Sequence, residues 1–88
     1  MTDTLEISGR IAIKHPEIAP MDVAHAWGNR IAMGIRNQGI APQLVAVGFD
    51  ASGRMLEMVG VEKENGTVLV FHAMTPPSKK TLREVSLI

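Results

Sequence analysis

The chain has 88 residues, a length that suits one small folded domain and leaves little room for a second. With 45% hydrophobic and 20% charged residues it is too apolar to be disordered, and its nine basic side chains balance nine acidic ones. The charge balance excludes an overall field toward nucleic acid, so a nucleic-acid role would need a local patch. The absence of cysteine excludes disulfides and thiol nucleophiles. We expect a single domain over residues 1–88.

The N-terminus lacks the basic and apolar stretches of a secretory signal, and no apolar run approaches the roughly 18 residues that span a bilayer. We therefore expect a cytoplasmic protein that does not insert into a membrane. His15, His25 and His72 stand far apart in the sequence, which is not the spacing of metal ligands. We predict neither a metal site nor another cofactor.

Two short helices are predicted at the start of the chain. Ser8 can cap the first, which runs to Lys14, because Pro16 forces the residue before it out of the helical region. The second begins near Pro20, which suits the first helical position, and stops at Gly28. Its expected apolar face consists of Val23, Ala24 and the core anchor Trp27.

The rest of the chain predicts an antiparallel meander and a last helix. A weak strand is indicated at 30–35, followed by a loop at 37–42 that contains Gly and Pro. Better strands, rich in Val, Leu, Met and Phe, are predicted at 44–49, 55–61 and 67–74. Ser78 can cap a final helix with Leu82 and Val85 inward. The predicted class is α+β, with two short N-terminal helices, a meander of three to four strands and a short C-terminal helix.

The dipeptide Asn65-Gly66 predicts a two-residue type I′ turn, which fixes the register of the last hairpin. In this register Val61 faces Val70 and Val59 faces His72. Four residues are then expected on the core side of the hairpin: Leu56, Met58, Leu69 and Phe71. The opposite side is a mixed face of apolar and polar residues.

The mixed face carries the main candidate site. His72 lies diagonal to Glu57 there, close enough for the carboxylate to approach the imidazole. A ribonuclease that uses no metal needs a base for the 2′-hydroxyl, an acid for the leaving oxygen and cations for the phosphate, and a histidine can serve either proton role. The cations are expected from the helix that follows: Lys79, Lys80 and Arg83.

Each feature also has an ordinary structural explanation, and the sequence leaves both open. His72 can be a half-exposed strand residue that makes a hydrogen bond, Glu57 a surface carboxylate, and the lysine pair a solvated helix start. Lys14 and His15 form a secondary candidate pair, but cations also stabilise the C-terminus of a helix.

Two stretches of the chain resemble the BrnT-type toxins of bacterial type II toxin–antitoxin modules, which are relatives of the RelE ribonucleases. The first is Lys14-His15 followed by residues 22–27, Asp-Val-Ala-His-Ala-Trp. The second is the Gly-Arg strand at 53–61, a turn, and the strand that ends in Phe-His-Ala-Met at 71–74. Together they cover most of the chain. The chain departs from the family in three ways: it has one residue more between His15 and Ile18, it is neutral where the family is typically basic, and His72 and Met74 stand where the family carries Ser and a basic Arg.

The resemblance implies a RelE-like fold and a toxin that is a metal-independent endoribonuclease, neutralised by an antitoxin laid across the mixed face. It also implies that Arg54 joins the basic residues of the last helix as a phosphate contact, with His72 as the distinctive polar group. The alternative is a noncatalytic interaction module whose apolar surplus is covered by a second copy of the chain or by a partner protein.

Overall fold

The computed structural model describes residues 4–37 and 39–88; the first three residues, and Gln38 of the predicted loop 37–42, lie outside this part. Three helices and one sheet confirm the predicted α+β class. The elements in chain order are β1 (Leu5–Ile7), α1 (Arg10–Lys14), α2 (Pro20–Gly28), β2 (Arg30–Arg36), β3 (Gln43–Phe49), β4 (Met55–Glu62), β5 (Val68–Met74) and α3 (Lys79–Glu84). The strand order in the sheet is β1-β5-β4-β3-β2.

The strand at the start of the described chain corrects the predicted arrangement. β1 runs parallel to β5, with Leu5 opposite Val68 and Ile7 opposite Val70. Within the described residues the sheet therefore has five strands and is mixed, whereas we predicted an antiparallel meander of three to four. The two N-terminal helices follow a strand rather than open the fold. Only the alternation Leu-Glu-Ile signals β1 in the sequence, and three residues are too few for a periodic pattern.

The ends of α1 differ slightly from the prediction. Gly9 rather than Ser8 occupies the N-cap position, although the Ser8 hydroxyl accepts a hydrogen bond from the Arg10 amide at 3.3 Å. The helix ends at Lys14, as expected from the proline two residues later.

α2 begins at Pro20 and ends at Gly28, as predicted, but one residue of its apolar face is wrong. Val23, Ala26 and Trp27 are buried, at the spacing of one helical face, while Ala24 is exposed. Trp27 is 7% exposed and belongs to the main core, which confirms its prediction as an anchor.

The turn between β4 and β5 is longer than the predicted two-residue turn. The Gly66 amide donates to the Lys63 carbonyl at 2.9 Å, and the Lys63 amide donates to the Thr67 carbonyl at 2.7 Å. Gly66 has a φ of +85°, but Asn65 is not in the left-handed region that a type I′ turn requires. Instead the Asn65 side chain accepts a hydrogen bond from the Thr67 amide at 3.0 Å.

The longer turn shifts the register of the hairpin by one residue near the turn, and the predicted register returns farther along the strands. Near the turn Val61 pairs with Leu69, so the predicted Val70 is wrong by one residue. Farther along, the predicted pair Val59–His72 is confirmed. A β-bulge in β5 separates the two registers.

The bulge also corrects the predicted core side of the hairpin. Phe71 is the extra residue of β5 and is 38% exposed, and Leu69 is only half-buried. Val70 is fully buried in the core instead. Leu56 and Met58 are buried in the same core, as predicted.

Helices cover both faces of the sheet. One face, here the α1–α2 face, carries the main core, in which Leu56, Met58, Val70 and Ala73 pack with residues of the two N-terminal helices. The other, here the α3 face, carries a smaller core in which Val45 and Val47 contact Leu82 and Val85, the two residues predicted to face inward. In the described residues, no helix has the length and apolarity needed to cross a membrane.

Candidate active site

A cleft of about 740 Å³ lies beside the start of α3 and is lined by residues of α1, β2, β4, β5 and α3. It contains both pairs that the sequence analysis proposed separately: Glu57 with His72, and Lys14 with His15. The imidazole rings of His15 and His72 have centroids 6.5 Å apart and are nearly perpendicular. The fold therefore assembles the primary and the secondary candidates into one site.

The Glu57–His72 contact follows from the register of β4 and β5. Val59 pairs with Val45 on one side and with His72 on the other, which places His72 on the α3 face. Glu57, two residues before Val59, points to the same face. Its Oε2 lies 2.8 Å from His72 Nε2, with side chains 7% and 30% exposed, respectively. The predicted approach of carboxylate to imidazole is present.

The start of α3 holds the other oxygen of the Glu57 carboxylate. The Ser78 amide donates to Glu57 Oε1 at 2.8 Å. Ser78 also caps α3, as predicted, because its hydroxyl oxygen accepts from the Thr81 amide at 3.2 Å. The residue that starts the helix therefore also fixes the carboxylate, and the geometry of Glu57 depends on α3 being docked.

These contacts keep Glu57 ionised. Burial raises the pKa of Glu57, but the hydrogen bonds from His72 and the Ser78 amide, with smaller contributions from the Thr81 and Ser78 hydroxyls, lower it from 4.5 to about 2. An ionised carboxylate only accepts hydrogen bonds, so the bond at Oε2 requires a proton on His72 Nε2. In neutral His72, Nδ1 is then the nitrogen that can accept a proton.

The cleft is cationic although the whole chain is neutral. Glu57 is the carboxylate in its lining, against four cationic side chains: Arg10, Lys14, Arg36 and Lys80. Arg36 makes a bidentate ion pair with Glu84, whose oxygens lie 2.6 and 2.8 Å from the guanidinium. The remaining positive charge forms the local patch that an anionic ligand requires.

Three of the predicted cationic contacts are not in the lining of the cleft. Lys79 and Arg83 are exposed on α3, outside the cleft lining. Arg54 donates to Asp50 Oδ2 at 2.8 Å, to Asp22 Oδ2 at 3.2 Å and to the Glu17 carbonyl at 3.0 Å. These bonds join the β3–β4 turn to the start of α2, so the structure gives Arg54 a bracing position.

Arg10 and Arg36 line the cleft but were not among the predicted site residues. β2 extends one residue past its predicted end, and Arg36 is that residue. Arg36 is two residues after Gly34 and therefore shares the α3 face with it. This position can be predicted only if the strand is known to continue to residue 36. Arg10 has no local signal, because its position depends on the packing of α1 beside β5.

No protein-family model, curated protein or solved structure matches this chain. Within the described residues, no group of three or more His, Cys, Asp or Glu side chains is arranged to hold a metal ion. The side chains of the site offer a fixed carboxylate, two imidazoles and several cations.

Proposed function

We propose that the cleft binds an RNA phosphodiester and cleaves it without a metal ion, and that the protein is the toxin of a toxin–antitoxin module. The observation that carries this proposal is the Glu57–His72 pair in a cationic cleft, with a second imidazole, His15, 6.5 Å away. The sequence resemblance to BrnT-type toxins supports the same reaction.

The proposed reaction transfers the phosphoryl group of an RNA linkage from its 5′-oxygen to the neighbouring 2′-oxygen. His72 Nδ1 takes the proton of the 2′-hydroxyl, whose oxygen attacks phosphorus to form a 2′,3′-cyclic phosphate. His15, in its protonated form, gives a proton to the leaving 5′-oxygen. Ionised Glu57 holds the imidazole of His72 by Nε2 and stabilises the cation that forms. Lys80 and Lys14 offer positive charge to the nonbridging phosphate oxygens.

The proposal extends to partners and location. A cationic cleft is neutralised most directly by a partner segment with carboxylates, which is the chemistry we assign to an antitoxin laid over the α3 face. The proposed location is the cytoplasm, where a toxin that cleaves cellular RNA would meet its substrate. The fold assignment to the RelE-like ribonucleases belongs to the same proposal.

The test is cleavage of a single-stranded RNA by partner-free protein in the presence of a chelator, with DNA of the same sequence as substrate control. His72→Ala should lower the rate about 10²- to 10⁴-fold, the usual effect of removing a general acid or base. Lys79→Ala is a matched control, because Lys79 is exposed on α3 outside the cleft lining. Cleavage that persists in His72→Ala, or that extends to DNA, would contradict the proposed mechanism.

A noncatalytic interaction module is the second candidate, and the exposed apolar residues of the sheet favour it. Ile31 and Ile35 of β2 are 51% and 66% exposed. In this reading the protein self-associates or binds a partner chain, and the cleft is a recognition surface. A partner-free preparation that binds RNA or protein but cleaves no RNA would support this candidate over the ribonuclease.

A further inference from the structure

We propose that β2 is a self-association site, where a second copy of this chain pairs with it in antiparallel orientation about a two-fold axis at Met33. This self-association goes beyond the proposed function and does not depend on it, because it uses the backbone edge and the α1–α2 face of β2, whereas β2 reaches the cleft only through Arg36 on the α3 face.

β2 is the last strand in the sheet order of the described residues, and it is long for an edge strand, with seven residues. β1, at the other edge, has only three, and an ion pair between Glu6 and Lys63 at 3.1 Å lies beside it. Edge strands normally avoid pairing through short length, proline or outward charges. β2 contains no proline, and its two charged residues, Arg30 and Arg36, stand at its ends, which leaves the five residues between them without these protections.

The two faces of β2 differ. On the α3 face, Gly34 lies against the Glu84 carbonyl, 3.1 Å from where a Cβ would stand, and Arg36 pairs with Glu84. On the α1–α2 face, three apolar side chains are exposed: Ile31 by 51%, Met33 by 43% and Ile35 by 66%. An added strand would cover the second set while leaving the packed face undisturbed.

The sequence of β2 commits this surface to a second copy. It reads Arg-Ile-Ala-Met-Gly-Ile-Arg, which is chemically the same in both directions about Met33. Antiparallel pairing about a two-fold axis therefore places Met33 opposite its own copy and Ile31 opposite Ile35 of the second copy. The small residues Ala32 and Gly34 face each other in the same way.

The charges at the ends of β2 permit this register because a bulge keeps them apart. The register shifts between Arg30 and Ala32, which turns Arg30 to the α1–α2 face. There its guanidinium lies 5.0 Å from the centroid of the Trp27 ring and donates to the Trp27 carbonyl at 2.8 Å. Arg36 of the other copy points to the α3 face and is neutralised by Glu84. The like charges thus lie on opposite faces of the joined sheet.

The resulting dimer joins two five-stranded sheets into one of ten strands. A two-fold axis perpendicular to the sheet places both α3 faces, and with them both clefts, on the same side. A contact made by one strand pair is smaller than a standard interface of about 800 Å² per partner, so the dimer should dissociate on dilution.

The register can be tested by cysteine cross-linking, because the natural chain contains no cysteine. Opposed residues of antiparallel strands have Cα atoms about 4.5 to 5.5 Å apart, within the range of a disulfide. Under mild oxidation, Met33→Cys should form a covalent dimer by itself. Ile31→Cys and Ile35→Cys should cross-link to each other when mixed, and more than either does alone. Met21→Cys, at a residue 82% exposed on α2, is the control.

Sedimentation of the unmodified protein provides the second measurement. We expect the apparent mass to double as concentration rises, and Met33→Lys to remain monomeric while Met21→Lys behaves as wild type. A wild-type monomer at the highest soluble concentration would overturn the proposal. So would equal cross-linking of Met33→Cys and Met21→Cys, or dimers of Met33→Lys as stable as those of the wild type.

Discussion

Two buried carboxylates, Asp50 and Glu57, are 4% and 5% exposed and lie in different parts of the molecule. Asp50 closes the β3–β4 turn, where its side chain accepts hydrogen bonds from the Ser52 and Arg54 amides, each at 2.9 Å, and from Arg54 Nε at 2.8 Å. Glu57 instead accepts from the start of α3 and from an imidazole at the edge of a cleft. One buried carboxylate therefore closes a turn, and the other lies at the edge of a cleft.

The pKa values of the two carboxylates do not distinguish these situations. Burial raises the pKa of Asp50, but the Arg54 guanidinium and amide outweigh it and lower the pKa below 3.8. The pKa of Glu57 is lowered in the same direction. What differs is the partner, because a guanidinium can only donate hydrogen bonds, whereas an imidazole can both donate and accept a proton. A buried carboxylate marks a candidate site only when its partner can exchange a proton.

The largest effect on stability is expected away from the cleft, in the main core. Arg54 and Asp22 tie the start of the helix that carries Trp27 into this core. Trp27→Ala should lower the free energy of unfolding by about 3 to 5 kcal/mol, since it opens a large cavity in the main core. Urea unfolding followed by circular dichroism measures the change. Met21→Ala on the same helix is the control, and near-wild-type stability of Trp27→Ala would place that residue at an interface instead of in the core.

The second effect is a change in stability with pH, and it concerns Glu57 at the cleft. Folded Glu57 stays ionised down to pH about 2, whereas in the unfolded chain it takes up a proton near 4.5. Its stabilising contribution, up to about 3 kcal/mol, is therefore complete above pH 4.5 and is lost as the pH falls toward 2.

Glu57→Gln should remove this part of the acid sensitivity, as measured by urea unfolding at several pH values between about 2 and 6. The part due to Asp50 should remain. Glu64→Gln, at an exposed carboxylate of the β4–β5 turn, serves as the control. An unchanged pH profile in Glu57→Gln would show that the His72 and Ser78 contacts do not hold the carboxylate in solution.

The third prediction separates the two carboxylate networks directly. Asp50→Ala should lower the melting temperature by roughly 10 °C, because it leaves the turn amides without their acceptor and removes one of the three acceptors of Arg54, while the proposed RNA cleavage should be retained below the melting temperature. His72→Ala should lower the proposed cleavage most, with a smaller drop in melting temperature, because Glu57 loses one partner but keeps the bond from the Ser78 amide. Loss of both properties in both variants would mean that the two regions are not independent.

The parts of the fold that the sequence could predict depend on local signals. Pro20 and Gly28 mark the ends of α2, and Ser78 marks the start of α3. The pair Val59–His72 was also correct, but only because the bulge at Phe71 cancels the error made at the turn. The side-chain bond of Asn65 to the Thr67 amide competes with the left-handed conformation of a type I′ turn, and the dipeptide alone does not reveal which one prevails.

The parts of the site that the sequence could not predict depend on long-range packing. Glu57 and His72 were found together because one hairpin joins them. His15 and Arg36 reach the same cleft from α1 and β2, which are distant in sequence and are positioned by the sheet order. Arg54 was predicted as a phosphate contact from the resemblance, but its three acceptors come from the β3–β4 turn, from the connection between α1 and α2, and from the first turn of α2.

The smallest expected effect compares the adjacent lysines Lys79 and Lys80, of which the second lines the cleft and the first does not. If the cleft binds RNA, Lys80→Ala should reduce the salt dependence of binding, lowering the slope of log K against log salt by about 0.7, the contribution of one phosphate contact on a single strand. Lys79→Ala should leave the slope unchanged. Fluorescence anisotropy with a 2′-O-methyl oligonucleotide, which cannot be cleaved, measures binding alone. Equal slopes for the two variants would indicate that RNA is held by the general charge of α3. The cleft would then have no separate role in RNA binding.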